Sequence, residues 1–107
     1  MPTPGEVVVL DFMGATGAKR RPAVVVSSDL YHLHRPDWVL GIITSNLVGA
    51  TTPTDYILQD WSVAGLRKPS AFRAYFVTAV PSATRLIGKL SPRDWDAVRE
   101  RVRLALG

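Results

Sequence analysis

The stretch "AKRRPAVVVSSD", residues 18–29, decides how the rest of the chain is read. Lys19, Arg20 and Arg21 stand directly against Pro22, and the apolar run from Ala23 to Val26 follows at once. A short β-branched run of this kind reads as a strand with little exposed surface. A proline at a strand's first position removes no ladder hydrogen bond, so Pro22 is expected to open the strand. The three cations then lie at its mouth, where the proline-fixed backbone holds Arg21 more firmly than a loop would.

On the upstream side, "EVVVLDF" (6–12) is a second strand, ending at the turn-prone "GATGA" (14–18). Downstream, "DLYHLHRPD" (29–37) reads as a loop from its proline and aspartates, and "WVLGIITS" (38–45) as another buried strand. "NLVGATTPT" (46–54) is loop-like, "DYILQ" (55–59) a short strand, "DWSVAGLRKP" a turn-rich connection and "SAFRAYFVTAV" (70–80) a long strand. Five strands at this spacing imply a small antiparallel barrel or sandwich.

The period changes in "SPRDWDAVRERVRLALG" (91–107). Ser91 fits an N-cap, Pro92 the first helical position, and Asp94 lies three residues after the cap. Trp95, Val98, Val102, Ala105 and Leu106 then recur on one helical face. Four arginines share the segment with Asp94, Asp96 and Glu100, which reads as a solvated face of paired charges rather than an anion-binding one. The expected class is β-rich α+β: an antiparallel barrel and a C-terminal helix in a single domain, residues 1–107.

Composition narrows the function classes. A chain of 107 residues, 47% hydrophobic and 21% charged, supports one modest core and is not a disordered sequence. The net charge of +4 favours an anionic partner such as nucleic acid. The absence of cysteine excludes disulfides, thiolate catalysis and Cys-built zinc sites. No apolar run approaches the ~20 residues of a membrane span. "MPTPGEVVVLDF" has Glu6 and no basic leader, so no secretory signal is expected and the cytoplasm is the expected compartment.

Three segments carry groups suited to phosphate. Arginine presents a planar, permanently charged fork that binds two phosphate oxygens at once, which favours Arg21 and its neighbours. In "ITSN" (43–46) a buried strand ends in Thr44, Ser45 and Asn46, whose hydroxyls and amide donate without adding charge. "LRKPSAFR" (66–73) brings Arg67, Lys68, Ser70 and Arg73 to one loop and strand start. Taken singly, each is also what a solvated turn or strand end looks like.

The ordered set "GEVVVLDF", "RRPAVVVSSD", "GIITSN", "AGLRKPSAFR" and "LIGKLSPRDWDAVRERVRLALG" resembles the MazF/PemK toxins of bacterial toxin–antitoxin pairs along nearly the whole chain. The resemblance implies an SH3-like barrel, a homodimer, and cleavage of single-stranded RNA without metal or other cofactor. The RNA's own 2′-hydroxyl would attack, leaving a cyclic phosphate. The family's catalytic arginine before "PA" falls on Arg21, which would stabilise the phosphorane and protonate the leaving group. Its strand-end threonine falls on Thr44, which would hydrogen-bond the scissile phosphate. Arg73 matches a further functional arginine, and Lys19, Arg20, Ser45, Lys68 and Ser70 are the expected RNA-binding residues. The implied protein partner is a cognate antitoxin with an acidic C-terminal tail.

Two departures stand out. The loop "MGATGAK" is short and lacks the acidic residue that many relatives carry before "RP". Where some members place a carboxylate two residues after the arginine of the fifth strand, this chain has Tyr75, and a phenol is a poorer base than a carboxylate at neutral pH. The general base is thereby unassigned, with water or a histidine as the remaining options.

His32 and His34 invite the roles of base, metal pair or stacking edge, but "YHLHR" is expected to be a surface loop, and with only Asp29 and Asp37 nearby no metal site is assigned. Trp95 and Trp38 are expected in the core and Trp61 as a loop anchor. Two other readings use the same barrel. One is a catalytically dead nucleic-acid binder. The other is a gyrase-poisoning toxin like CcdB, whose Trp-Gly-Ile tail is replaced here by "RLALG".

Overall fold

The computed structural model describes residues 3–14 and 17–107. Six strands form one antiparallel sheet: β1 (Glu6–Gly14), β2 (Gly17–Val25), β3 (Trp38–Thr44), β4 (Tyr56–Ile57), β5 (Ala71–Ala79) and β6 (Thr84–Lys89). Two helices complete the chain, α1 (Asp29–His34) and α2 (Pro92–Leu106). The sheet order is β4-β5-β3-β2-β1-β6, so β4 and β6 are its edges. The expected barrel with a C-terminal helix is present, but its hydrogen-bonded ladder is not closed. No helix among the described residues is long and apolar enough to cross a membrane.

Backbone packing brings the open edges together. Gly65 adopts φ +85°, and a Cβ there would stand 2.2 Å from the Ile87 carbonyl oxygen; one on Gly88 would stand 2.2 Å from that of Ala64. The turn after β4 therefore lies flat on β6, at a distance only glycine permits.

Cross-strand partners share a face and successive residues alternate, so the curled sheet has two apolar sides. Val7, Val24, Ile43 and Phe72 pack with Leu58, Ala64, Leu90 and Val98 on the side that α2 covers. Val8, Leu10, Ala23, Val25, Leu40 and Ile42 cluster on the other. Trp61 and Trp95 are half-buried against the first cluster and Trp38 against the second.

Several expectations are corrected. Pro22 does not open β2, which starts at Gly17 and pairs Pro22 with Val9. The proline is tolerated because β3 first pairs at Ala23. Val26 N–H bonds the Val39 carbonyl at 3.0 Å, so by alternation the Pro22 nitrogen also faces the β3 side, just beyond the end of that ladder. The turn read at 14–18 is a hairpin whose residues 15 and 16 lie outside the described residues. Residues 29–34 are a helix, not a loop: the Ser28 hydroxyl accepts the Tyr31 N–H at 3.2 Å and caps α1. His34 is exposed as expected, whereas His32 is buried and shares a 2.6 Å hydrogen bond with Ser27. Strand β6 has no counterpart in the sequence reading.

Helix α2 begins as expected, with the Ser91 hydroxyl accepting the Asp94 N–H at 3.3 Å. Val98 is buried and Trp95 and Val102 half-buried, but Ala105 and Leu106 are exposed past the end of the sheet. Asp94 is not part of a solvated face. Fully buried, it accepts the Tyr56 hydroxyl at 2.7 Å and the backbone N–H groups of Gln59 and Asp60 at 3.0 and 2.8 Å. Burial of Tyr56 itself and its contact with Asp94 push the Tyr56 phenol up to about 12. Beside it, Arg93 and Ser91 hold the half-buried Asp60 carboxyl down at about 2.

Candidate functional site

The predicted residues gather around two adjoining depressions that share Arg21. The first, about 360 Å³, is lined by Arg21, Thr44 and Arg73 together with Thr52, Asp55 and Tyr75. Its position follows from register. Arg21 pairs with Leu10, Ala23 with Ile42, and Thr44 with Ala71, which puts Arg21, Thr44, Arg73 and Tyr75 on one face of the sheet. Gly41 faces Phe76 while Ile43 faces Phe72, so β5 advances four residues as β3 advances two. Arg73 and Tyr75 lie inside that bulge, an irregularity that re-aims side chains.

Thr44 is half-buried, and its hydroxyl oxygen accepts the Asn46 N–H at 3.1 Å, leaving the hydroxyl proton for another acceptor. Asp55, which sequence reasoning missed, supplies a carboxylate by another route than position 75. Its side chain is only 4% exposed; Oδ1 lies 3.3 Å from Nε of Arg73, and Oδ2 accepts the Thr52 N–H at 3.0 Å. Both oxygens are thus engaged, and the group orients Arg73 toward the depression. Arg101 of α2 donates to the Asp55 carbonyl at 3.2 Å, while Asp94 holds the following residues, so α2 buttresses the segment that carries this carboxylate.

The second depression, about 480 Å³, takes Arg20 and Arg21 from β2, Ser45 from the end of β3, and Arg67, Lys68 and Ser70 from the loop before β5. Arg85 of β6 also lines it and was absent from the sequence reading. Ser70 is 4% exposed and donates its hydroxyl proton to the Lys68 carbonyl at 2.9 Å. Its hydroxyl thus braces the loop that carries Lys68, and the residue lines the depression. Lys19 is exposed and lines neither depression. Arg20 has a loose contact with Asp11 at 3.5 Å, both side chains largely exposed. Arg21, Arg67, Lys68 and Arg85 have no carboxylate partner among the described residues.

Clustered cations without partners repel one another and are stabilised by an anion. A phosphodiester in the first depression would meet two guanidinium forks and a hydroxyl, with the carboxylate behind Arg73 keeping that fork fixed.

Residues 3–106 match the model of a family described as PemK-like, MazF-like toxin of type II toxin-antitoxin system. A search of curated proteins finds no match. Among solved structures, an endoribonuclease in complex with its cognate antitoxin from a Mycobacterial species is similar at TM-score 0.79 and 20% identity, over 100% of this chain and 96% of that one. A MazE-MazF structure from Deinococcus radiodurans is similar at TM-score 0.76 and 20% identity, over 99% and 96%. The Mycobacterium tuberculosis toxin MazF-mt6 follows at TM-score 0.71 and 20% identity, over 94% of each chain. At such identity these neighbours share the fold.

Proposed function

Because this chain belongs to the PemK-like, MazF-like toxins of type II toxin–antitoxin systems, we propose that it cleaves single-stranded RNA in the depression shared by Arg21, Thr44 and Arg73. Toxins of this family are endoribonucleases. The observation that carries the reading is this meeting of two arginines and a threonine from β2, β3 and β5, a combination suited to charge building up on phosphorus.

In the proposed reaction the 2′-oxygen forms a bond to the adjacent phosphorus and the bond from phosphorus to the 5′-oxygen breaks. The products are a 2′,3′-cyclic phosphate and a 5′-hydroxyl. Arg21 neutralises the phosphorane and donates to the departing oxygen. Thr44 hydrogen-bonds a non-bridging oxygen, and Arg73, held by Asp55, takes a share of the charge. The 2′-proton leaves to water, and water returns to Arg21 the proton that it passes to the 5′-oxygen, so none is gained or lost overall. Arg20, Ser45 and Lys68 position the strand, and Lys19 attracts it from farther up the hairpin.

The partners proposed are a second copy of the chain and an antitoxin whose acidic tail lies over the same cations, and the compartment is the cytoplasm, where the RNA is. Exposed Leu30 and Leu33 of α1, with Leu86 of β6, offer the apolar surface for the second copy. Purified protein incubated with mixed-sequence RNA in EDTA, with product ends typed, tests the activity. Cyclic phosphate and 5′-hydroxyl ends are expected; intact RNA, or 5′-phosphate ends, would overturn it.

A further inference from the structure

The two depressions differ in chemistry more than in size. Hydroxyls dominate the one beside Thr44, where Thr52, Thr54 and Tyr75 join it. The other has an apolar floor of Val9, Pro22, Ile43, Leu66 and Ile87. Its rim carries Arg20, Arg21, Arg67, Lys68 and Arg85 and no carboxylate. Ribose and phosphate suit the first. A bare phosphate gains nothing from an apolar floor, whereas an unstacked base does, because its flat faces are apolar and stack well on guanidinium planes.

We propose that this second depression is a base subsite, holding the nucleotide next to the scissile phosphate, with Arg85 and Arg67 as its clamp. The inference rests on the RNA-cleaving function proposed above and adds the part of the substrate that each depression takes. Register fixes Arg85: Val9 pairs with Pro22 on one side and with Arg85 on the other, so all three share a face and Arg85 stands beside the floor. Arg67 is fixed by the turn before it. Leu66 N–H bonds the Trp61 carbonyl at 3.2 Å, and Gly65 lies against Ile87. The volume of about 480 Å³ falls within the ~300–1,000 Å³ usual for small-ligand clefts and accommodates one nucleotide. Arg21 lines both depressions, so a phosphate held by it would leave an adjoining nucleotide within reach of the apolar floor.

The test uses a fluorescent oligoribonucleotide that the protein cuts, blocked by a 2′-deoxy sugar at the cleaved linkage. An abasic ribose is moved through it one position at a time, and binding is measured for wild type, Arg85→Ala and Arg67→Ala. For wild type, base removal at one position adjoining the blocked linkage is expected to weaken binding about tenfold, in line with base-stacking contacts. In Arg85→Ala that loss should shrink to about threefold or less, while losses at distant positions stay as they were. A wild-type scan that is flat next to the linkage overturns the subsite, as does an equal loss in wild type and both variants. An aspartate- and glutamate-rich peptide is titrated in parallel. If Arg85→Ala weakens the peptide and leaves every oligonucleotide unchanged, the depression belongs to a protein partner and the proposal fails. Cutting of the unblocked oligonucleotide reports on the enzyme separately: cleavage with a flat scan removes the subsite alone, and no cleavage of any RNA removes the function beneath it.

Discussion

On α2, Arg93 is bound to Asp60, Arg99 to Asp96 and Arg103 to Glu100; around the two depressions, Arg21, Arg67, Lys68 and Arg85 have no such partner among the described residues. All are cations, and all but the half-buried Arg21 are exposed, yet those of the helix find counter-charges on α2 itself or on Asp60 and these four of the groove do not. Pairs like those on α2 are screened by water, contribute little to stability and leave little field beyond themselves. An uncompensated cluster leaves a field that only an outside anion relieves. Net charge of +4 says nothing about this division; pairing decides where the excess acts.

The sharpest way to break the contrast is to remove one arginine from each region. Arg21→Ala is expected to lower the cleavage rate by about two to three decades, roughly 3–4 kcal/mol of barrier, with an unchanged melting temperature. Arg99→Ala should leave both within error. Cleavage time courses and thermal melts of the two variants check this; a cleavage rate within about threefold of wild type for Arg21→Ala would sink the assignment.

Arg73 stands between the regions, since it faces the groove and yet has a carboxylate, Asp55, behind it. Asp55→Asn should keep the volume but loosen the guanidinium. Misplacement of a charge-stabilising group costs on the order of 10²-fold in rate, and the loss should fall on kcat with KM nearly unchanged. Single-turnover kinetics separate the two; equal losses in Asp55→Asn and an α2 variant such as Arg103→Ala would erase the distinction.

Lys68 and Arg20 should act on affinity alone. For single strands, removing one cation that neutralises a phosphate lowers the salt slope by about 0.7. Anisotropy titrations from low to moderate salt should therefore give a flatter line for Lys68→Ala than for Arg103→Ala, which should match wild type.

The smallest effect is expected on the paired side and depends on pH. Arg93 and Ser91 hold Asp60 near 2 in the folded chain, below its ordinary 3.8. The lower value belongs to the folded state, so the pair's contribution is complete above about pH 4 and fades as pH falls through about 2. Urea melts at stepped pH should show Arg93→Ala less stable than wild type at pH 5, with the gap closing toward pH 2. A gap that stays constant over that range would mean the carboxyl is not tuned by Arg93.

How far the chain was legible depends on whether a feature is local. The runs at 6–12, 23–26 and 38–45 announce their strands because a buried strand needs little besides continuous apolar side chains. Arg21 and Thr44 were legible as site candidates because each ends or borders such a run, and Arg73 because it follows the basic loop "LRKPS". Strand β6, "TRLIGK", was not, because Arg85 and Gly88 interrupt its pattern; both are there for their neighbours, the groove and the Ala64 carbonyl. A local signal did exist for α1, a serine before an aspartate in the first turn, but it was outweighed by the proline that follows. Asp55 gave no signal, and Asp94 signalled only the start of the helix. The first reaches Arg73 because Tyr56 pairs with Phe72, and the second finds its partners 34 to 38 residues away. Carboxylates whose roles come from sheet register cannot be told from surface charges by spacing alone.

Pro22 has a consequence for how this chain survives at high concentration. From Gly17 to Pro22, β2 runs beyond its ladder with β3, so the β3 side of its backbone has no ladder partner among the described residues. Exposed edges of this kind seed strand-to-strand aggregation, and cells purge proteins that stick in this way. A proline without an N–H at the point where the ladder stops, preceded by Lys19, Arg20 and Arg21, is how such an edge is kept unattractive to its own copies. The three cations proposed to meet RNA thus also act, with the proline, as gatekeepers. Inactivating changes here toward Val or Ile would remove the poison and create an aggregation-prone edge at once, so an escape from toxicity at this site exposes the cell to a different hazard.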